Sequence, residues 1–187
     1  MPTTSSDLSD LFENPTVKTV EQLSVIGLRE WVGLPELQLA GLRAKIDTGA
    51  RTSSLHATDS EVFERDGVSW LRFTAHFGSR SKLREQRCEA PLVTLKTVKS
   101  SNGHSQTRYV IRTQLSLGAH TWPVDFSLTC RKSMQYRLLI GAKALIDGQL
   151  LVNPALSYTQ PKQTASKALQ YSPAPSPALT SCVTGVK

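Results

Sequence analysis

The sequence is poor in cysteine and has no long apolar run. Its 187 residues contain three cysteines, widely spaced and without a Cys-x-x-Cys pair, so neither a disulfide framework nor a zinc knuckle is indicated. No segment approaches the roughly 20 apolar residues that a membrane-spanning helix needs. The first ten residues are polar and acidic, whereas a secretory signal is basic and then apolar. We therefore expect a cytoplasmic protein without a membrane anchor.

Aromatic residues are also scarce, at 6% of the chain. They are not interleaved with basic residues in the way that stacks nucleotides, and no RNP-like or zinc-finger pattern is present. The sequence has no phosphate-binding glycine loop and no His-Glu-x-x-His helix, and its four histidines lie in separate segments. We accordingly expect no bound cofactor and no metal.

Positive charge is concentrated in the middle of the chain. The sequence has 22 Lys and Arg against 15 Asp and Glu, a net charge of +7. Residues 25–162 hold 19 basic and 11 acidic residues, whereas residues 1–24 carry a net charge of −3. The basic residues are densest in 80–112. Such a body favours an anionic partner, which could be nucleic acid, an acidic peptide or an acidic protein surface. A solvated face that keeps the protein soluble is the alternative.

The dominant hydrophobic period of this body is two, which indicates half-buried strands. Apolar and polar residues alternate in 70–77, 108–117 and 121–129, and Val110 is the apolar exception on the polar face of the second of these segments. Residues 92–98 form another extended candidate.

Turn signals join these strands into hairpins. Asn102-Gly103 is the strongest signal because both residues tolerate positive φ, and Gly118-Ala119-His120 predicts a second short turn. Only 141–147 reads as a short helix. Many short strands with one small helix predict an all-β barrel or sandwich.

The two ends of the chain are predicted to lie outside this domain. Residues 1–24 show no sustained period, and residues 161–187 are rich in Ser, Pro and Ala. Such composition disfavours packed structure. We predict a flexible N-terminal arm, one ordered domain at 25–160, and a disordered C-terminal tail.

The sharpest local motif is Asp47-Thr48-Gly49, which follows a short predicted strand. A carboxylate at a strand end is well presented for chemistry. Gly49 would let the backbone turn sharply and give other groups close access, and the Thr48 hydroxyl can tie the loop to a neighbouring one. Asp and Gly also make ordinary turns, so the tripeptide alone does not decide between catalysis and structure.

A second sequence element supports a catalytic role for Asp47. Residues 138–141 read Leu-Leu-Ile-Gly, an apolar strand that closes on Gly141 before the short helix. The combination of Asp47-Thr48-Gly49 with this segment, some ninety residues later, resembles the retropepsin-type aspartic proteases. In that architecture the second strand packs beside the catalytic loop.

Longer strings extend the resemblance over about 25–160. They are residues 31–37, 45–57, 100–104 and 108–113, which are similar to the bacterial family labelled ATP-dependent zinc protease, the retropepsin-like group that includes RimB. The resemblance implies a closed retropepsin-like β-barrel. It also implies a partner, the ATP-grasp ligase RimK, which adds glutamates to the C-terminus of a small-subunit ribosomal protein, and a role in processing that modified tail. The chain departs from the usual family pattern at Cys130, Lys132 and Ala142.

An aspartic protease needs two carboxylates that share a proton, one as base toward water and one as acid toward the carbonyl oxygen. This chain has one Asp-Thr-Gly, because Asp66-Gly67 and Asp147-Gly148 lack the hydroxyl residue and the strand context. We therefore predict a symmetric homodimer in which each subunit supplies Asp47 across an isologous interface.

The remaining site predictions surround this aspartate. Arginines can clamp substrate carboxylates in bidentate fashion, although solvent-facing strand arginines are common. We expect the predicted turn and its flanking residues to contact substrate and three further residues to support the site. The predicted contacts are Ala50, Arg51, Ser101, Asn102, Gly103, His104, Arg108 and Arg112, and the predicted supports are His56, Ile140 and Gly141.

Two rival interpretations remain open at this point. A metal-dependent peptidase could assemble its site from His56, Cys88 and His104, since spacing along the chain says nothing about proximity in space. A non-catalytic β-barrel adaptor could recognise acidic ligands through its basic face and keep Asp47-Thr48-Gly49 only as a turn. The main prediction is an aspartic peptidase that acts on an acidic, glutamate-rich protein tail.

Overall fold

The computed structural model describes residues 23–79, 81–99 and 105–162. The predicted N-terminal arm and C-terminal tail lie almost wholly outside these residues, as does the Ser101–His104 turn. In the described part of the chain, no helix is long and apolar enough to cross a membrane.

Within these ranges the chain forms ten strands and one short helix. The strands are β1 (Ser24–Gly27), β2 (Arg29–Leu34), β3 (Leu39–Asp47), β4 (Ser53–Arg65), β5 (Val68–Ser79), β6 (Lys82–Lys99), β7 (Ser105–Leu117), β8 (His120–Thr129), β9 (Leu138–Gly141) and β10 (Leu150–Asn153). The helix α1 spans Ala142–Asp147, and a 3₁₀ turn at Pro35–Leu37 joins β2 to β3. The predicted all-β fold with one short helix is confirmed.

Eight of the strands form one sheet in the order β2-β3-β9-β4-β5-β6-β7-β8. Additional pairings of β4 with β8 and of β2 with β7 join distant parts of this order and turn the sheet into a ring. Strands β1 and β10 form a separate parallel pair.

The predicted hairpins are present, with two adjustments. Strands β7 and β8 pair antiparallel as far as Leu117 and His120, so His120 belongs to β8 and the turn contains only Gly118 and Ala119. Gly118 has φ +61, a conformation that suits glycine at the start of a two-residue hairpin turn. Strand β6 is 18 residues long, much longer than the predicted 92–98, because its first half pairs with β5 and its second half with β7.

Alternation along the strands builds the core. One face of β5 and one face of β7 bury most of their apolar residues, and β3 and β8 contribute further buried side chains. The largest fully buried side chains include Leu42, Ile46, Leu71, Phe73, Ile111, Leu115, Leu117 and Phe126. Burial of such side chains is worth about 1.5–3 kcal/mol each, which makes this alternation the main determinant of the ring.

The position of β9 determines the geometry of the site. Strand β9 lies between β3 and β4, the two strands that flank the Asp47 turn. It runs parallel to β3, with Asp47 opposite Gly141, and antiparallel to β4, with Ser54 opposite Leu139. The turn that carries Asp47 therefore crosses the end of a strand that arrives some ninety residues later.

Candidate active site

Asp47 is the last residue of β3, and the turn that follows holds its carboxylate. The backbone N–H groups of Gly49 and Ala50 both donate to Asp47 Oδ1, at 3.0 and 3.1 Å. Oδ2 accepts no hydrogen bond from the residues that the structure describes. The side chain is half-buried, whereas Thr48 and Gly49 are exposed. The arrangement presents one oriented carboxylate with one oxygen available at the protein surface.

The far side of this turn is fixed to β9 and α1. Ala142 N–H donates to Ala50 O at 2.7 Å, and Gly141 N–H donates to the buried Ser53 Oγ at 3.1 Å. A Cβ atom on Gly141 would lie 2.6 Å from Ala50 O, so this close approach requires glycine. Ile140, the residue before it, is fully buried opposite Ile46.

Gly49 lies in the exposed part of the turn. Its φ is outside the left-handed region, so the backbone conformation here does not by itself require glycine. A Cβ atom on Gly49 would meet only Asp47 Oδ1 among the described residues, at 3.4 Å, which is an ordinary contact. The roles expected of Gly49, a sharp turn and close access for other groups, stay predictions.

Arg131 is the site residue that sequence reasoning did not single out. Its guanidinium is held in place because Nη1 donates to Ser54 Oγ and Nε donates to Tyr136 O, both at 3.1 Å. Burial lowers the pKa of Arg131 from its ordinary value, the charge of Arg108 lowers it further, and the carboxylate of Asp47 acts in the opposite direction. Arg131 is therefore an oriented cation in the electrostatic neighbourhood of Asp47. In the sequence, Arg131 lies between Cys130 and Lys132, two residues at which the chain departs from the usual family pattern.

His56 supports this arginine rather than the Asp47 turn. The Arg131 N–H donates to His56 Nδ1 at 3.1 Å, and the His56 N–H donates to Arg137 O at 2.8 Å. The His56 ring is buried and stacks on His76 with centroids 4.5 Å apart. Burial lowers the pKa of His56; hydrogen bonding to Thr129 O opposes this, and the neighbouring basic groups lower it further. A neutral ring suits the acceptor role of Nδ1.

The predicted arginine contacts fall into two groups. Arg112 donates to both carboxylate oxygens of Asp125, at 2.6 and 3.1 Å, so this guanidinium is already engaged. Arg108 donates to the neutral Gln106 Oε1 at 3.2 Å and to no carboxylate within 23–79, 81–99 and 105–162. It lies opposite Lys96 across the β6–β7 ladder. Ala50 is half-buried and Arg51 is exposed beside the Asp47 turn.

The residues of the metal alternative show no such assembly. No three His, Cys, Asp or Glu side chains within 23–79, 81–99 and 105–162 are grouped closely enough to hold a metal ion. Cys88 is buried against Leu37 O, and burial raises the pKa of its thiol to about 11, which disfavours the thiolate that binds metals. His104 lies outside the described residues.

Comparison with known proteins finds relatives that are named probable alpha-L-glutamate ligase. The chain is 39% identical over 132 residues to a probable alpha-L-glutamate ligase of Desulfotalea psychrophila, a match that covers 71% of this chain and 28% of the relative. A protein of the same name from Shewanella pealeana is 41% identical over 134 residues, which cover 72% of this chain and 29% of the relative. This chain thus spans less than a third of the length of these relatives.

A solved structure resembles this chain in fold, and the model of one family matches its sequence. The crystal structure of a Legionella pneumophila protein of unknown function matches with a TM-score of 0.62 and 33% identity, and the match covers 73% of this chain and 97% of that one. The sequence model of the RimB-like family, described as retropepsin-like aspartic endopeptidase RimB, matches residues 25–163. With Asp47 at the end of β3 and β9 packed beside its turn, the chain belongs to the RimB-like, retropepsin-like family.

Proposed function

We propose that this protein hydrolyses peptide bonds in an acidic, glutamate-rich protein tail. The observation that carries the proposal is the Asp47 carboxylate, which two backbone N–H groups orient through Oδ1 while Oδ2 stays available at the surface. A carboxylate held in this way is suited to accept a proton from water. The family to which the chain belongs is described as an aspartic endopeptidase.

The reaction needs a second carboxylate, which we assign to Asp47 of a second copy of the chain. One ionised Asp47 takes a proton from water as the water oxygen attacks the carbonyl carbon, and the other, protonated, Asp47 donates to the carbonyl oxygen. Collapse of the tetrahedral intermediate breaks the C–N bond. The leaving amine takes up the proton that the first Asp47 took from water, and the second Asp47 recovers its proton from a hydroxyl group of the intermediate. We further propose that Thr48, which is exposed and whose hydroxyl has no partner among the described residues, contacts the second subunit's turn.

Charge and the ligase-named relatives support the choice of substrate. The body of the chain carries 19 basic and 11 acidic residues between 25 and 162, which favours a polyanionic peptide. In two relatives named probable alpha-L-glutamate ligase, a region similar to this chain makes up 28–29% of a longer protein. We propose that this chain acts with a glutamate ligase of the RimK type and processes the glutamate tail of a small-subunit ribosomal protein.

The decisive experiment compares Asp47→Asn with Asp66→Asn. Purified variants are given a protein with a C-terminal polyglutamate tail, and the release of tail fragments is measured by mass spectrometry. We expect Asp47→Asn to lower the rate by about 10²–10⁴-fold, the usual contribution of general acid and base groups. Asp66→Asn should cleave like the wild type, because Asp66 lies in an exposed turn. Equal rates for the wild type and Asp47→Asn would refute the proposal.

Chelation separates the aspartic from the metal mechanism. Activity that is unchanged in excess EDTA is expected, whereas activity lost in EDTA and restored by Zn²⁺ would establish the metal-dependent alternative. Tight binding of the polyglutamate tail without turnover by the wild type would instead establish the adaptor function.

Mixing of subunits tests the dimer. When wild type is mixed with an excess of Asp47→Asn and allowed to exchange, activity should fall below that of the same wild type mixed with Asp66→Asn, because mixed dimers lack one carboxylate. A fully active monomer in sedimentation velocity would contradict the dimeric mechanism.

A further inference from the structure

A cavity of about 180 Å³ lies directly behind the Asp47 turn. Arg51 to Ser53 form one wall, and Lys143, Ala144 and Asp147 of α1 form another. The floor is the outer face of β6, β7 and β8, where Thr94, Val110 and Asp125 contribute. The wall of the cavity thus begins at Arg51, the residue after Ala50, whose N–H donates to the candidate catalytic carboxylate.

The basic residues of this cavity are not matched by its acidic residues. Asp147 is paired with Lys143 at 2.9 Å, and Asp125 is paired with Arg112 at 2.6 Å. Within the part of the chain that the structure describes, Lys96 Nζ donates only to the neutral Thr52 Oγ1, at 3.2 Å. Among the described residues, neither Lys96 nor Arg51 has a carboxylate partner. The lining thus keeps two positive charges available for an anion.

The ladder beneath the cavity concentrates this charge further. Lys96 on β6 lies directly opposite Arg108 on β7, and like charges at such positions destabilise a sheet unless an anion lies between them. Neither strand places an acidic residue near this pair in the register. The adjacent pairs are Leu95 with Tyr109 and Thr97 with Thr107, and the pairs beyond them are Thr94 with Val110 and Val98 with Gln106. A sheet that accepts this repulsion is suited to hold a bound anion.

Apolar side chains also line this cavity. Val110, the apolar exception on the polar face of β7, is 4% exposed and lies in the cavity floor. Val93, which is 43% exposed, also lines the cavity. A ligand with a short apolar stem and an anionic end would contact these valines with its stem and Lys96 with its charge.

We propose that this cavity is a carboxylate-binding subsite that takes the side chain of a glutamyl residue beside the scissile bond, with Lys96 and Arg51 as its ligands. The two methylene groups of glutamate match the valine floor, and its carboxylate matches the uncompensated cations. This inference rests on the proposed function, and it adds the residues that select glutamate at one position of the substrate.

The test measures peptide binding separately from cleavage. In the Asp47→Asn background, the dissociation constant of a fluorescent hexaglutamate is measured by anisotropy for Lys96→Gln, Arg51→Gln and Lys96→Arg. Lys82→Gln is the matched control, because it removes the same charge from the opposite, exposed end of β6. Lys96→Gln and Arg51→Gln should each weaken binding about tenfold, as expected for loss of a charge-assisted hydrogen bond. Lys96→Arg should bind like the background, and Lys82→Gln should change binding by less than about twofold.

Two further peptides identify the carboxylate. A hexaglutamate with an amidated C-terminus should behave like the free acid, and a hexaglutamine should bind weakly and should not distinguish Lys96→Gln from the background. Equal effects of Lys96→Gln and Lys82→Gln would overturn the subsite. If C-terminal amidation removes the difference in binding between Lys96→Gln and the background, the assignment to a side chain is overturned and the terminal carboxylate is the bound group.

Failure of the subsite and failure of the proposed function give different results. If the wild type cleaves the tail and Lys96→Gln resembles Lys82→Gln in binding, the subsite is wrong and the peptidase stands. If the wild type never cleaves but Lys96→Gln and Arg51→Gln lose binding, the subsite stands and the peptidase is wrong.

Discussion

The Asp47 turn and the Asp66 turn both contain aspartate and glycine, yet they differ in backbone conformation, exposure and packing. Asp66 and Gly67 form the tip of the β4–β5 hairpin, with φ +53 and +73, between the paired residues Arg65 and Val68. Both are exposed, and a Cβ atom on Gly67 would have no neighbour within 4 Å. The turn after Asp47 has ordinary φ values and packs against β9 and α1.

This contrast shows where a catalytic turn obtains its rigidity. The Asp66 turn is determined by local backbone preference, since Asp and Gly tolerate positive φ. The Asp47 turn is determined by tertiary contacts, because Ala142 N–H and Gly141 N–H bind it from behind. Backbone donors that are fixed from outside the turn can hold a carboxylate in one orientation, which is what a general base requires.

Among the changes that test this contrast between the Asp47 and Asp66 turns, Gly141→Ala should have the largest effect on stability. The added methyl group would lie 2.6 Å from Ala50 O, so either the turn or β9 must move. We expect a loss of about 2–3 kcal/mol in the free energy of unfolding, as for overpacked interiors, measured by urea denaturation. The matched control is Gly67→Asn, since asparagine tolerates positive φ. It should cost less than about 1 kcal/mol. Similar losses for the two variants would remove the distinction between the turns.

A smaller effect is expected on the pH dependence of stability, through the buried His56. Because burial lowers the pKa of His56 in the folded protein, the unfolded chain takes up a proton near pH 6.5 more readily than the folded chain does. The stabilising contribution of neutral His56 is therefore complete above about pH 6.5 and is lost as the pH falls toward the lower folded-state value. His76, stacked on His56, and the nearby Arg131 and Arg137 oppose its protonation in the same direction.

His56→Gln tests this linkage, since glutamine keeps a hydrogen-bond acceptor but does not titrate. The free energy of unfolding should fall less between pH 7.5 and pH 5 in this variant than in the wild type. His120→Gln, at the exposed start of β8, should retain the wild-type slope. An unchanged slope in His56→Gln would show that this ring is not the group responsible.

The smallest expected effect on stability comes from Gly49→Ala. The structure has room for the methyl group, and the backbone is not left-handed, so the free energy of unfolding should change by less than about 0.5 kcal/mol. Cleavage should nevertheless fall by about tenfold or more, since the methyl group would stand on the exposed turn beside the Asp47 carboxylate, where we propose that substrate approaches. Full activity together with full stability would show that nothing approaches this glycine closely.

The sequence predicted those features that depend on near neighbours. Alternation in 70–77, 108–117 and 121–129 gave strands with the correct buried faces, because the pleat places every second side chain on one side. The apolar 138–141 segment and the helix after it were also found. The length of β6 and the pairing of β1 with β10 were missed, because the choice of a strand partner is made across the whole chain.

Within the candidate site, the identity of the chemical groups follows from the amino-acid sequence, whereas their arrangement in space follows from the tertiary structure. Asp47, Thr48 and Gly49 stand out by their identity and order, and the excess of basic residues is fixed by composition. Only the insertion of β9 between β3 and β4 brought Gly141 under the turn, and only the ring brought Arg131 toward Asp47 and made a cavity above Val110. These contacts join residues that are far apart in the sequence, so no local pattern encodes them. They form because the strands bury their apolar faces together.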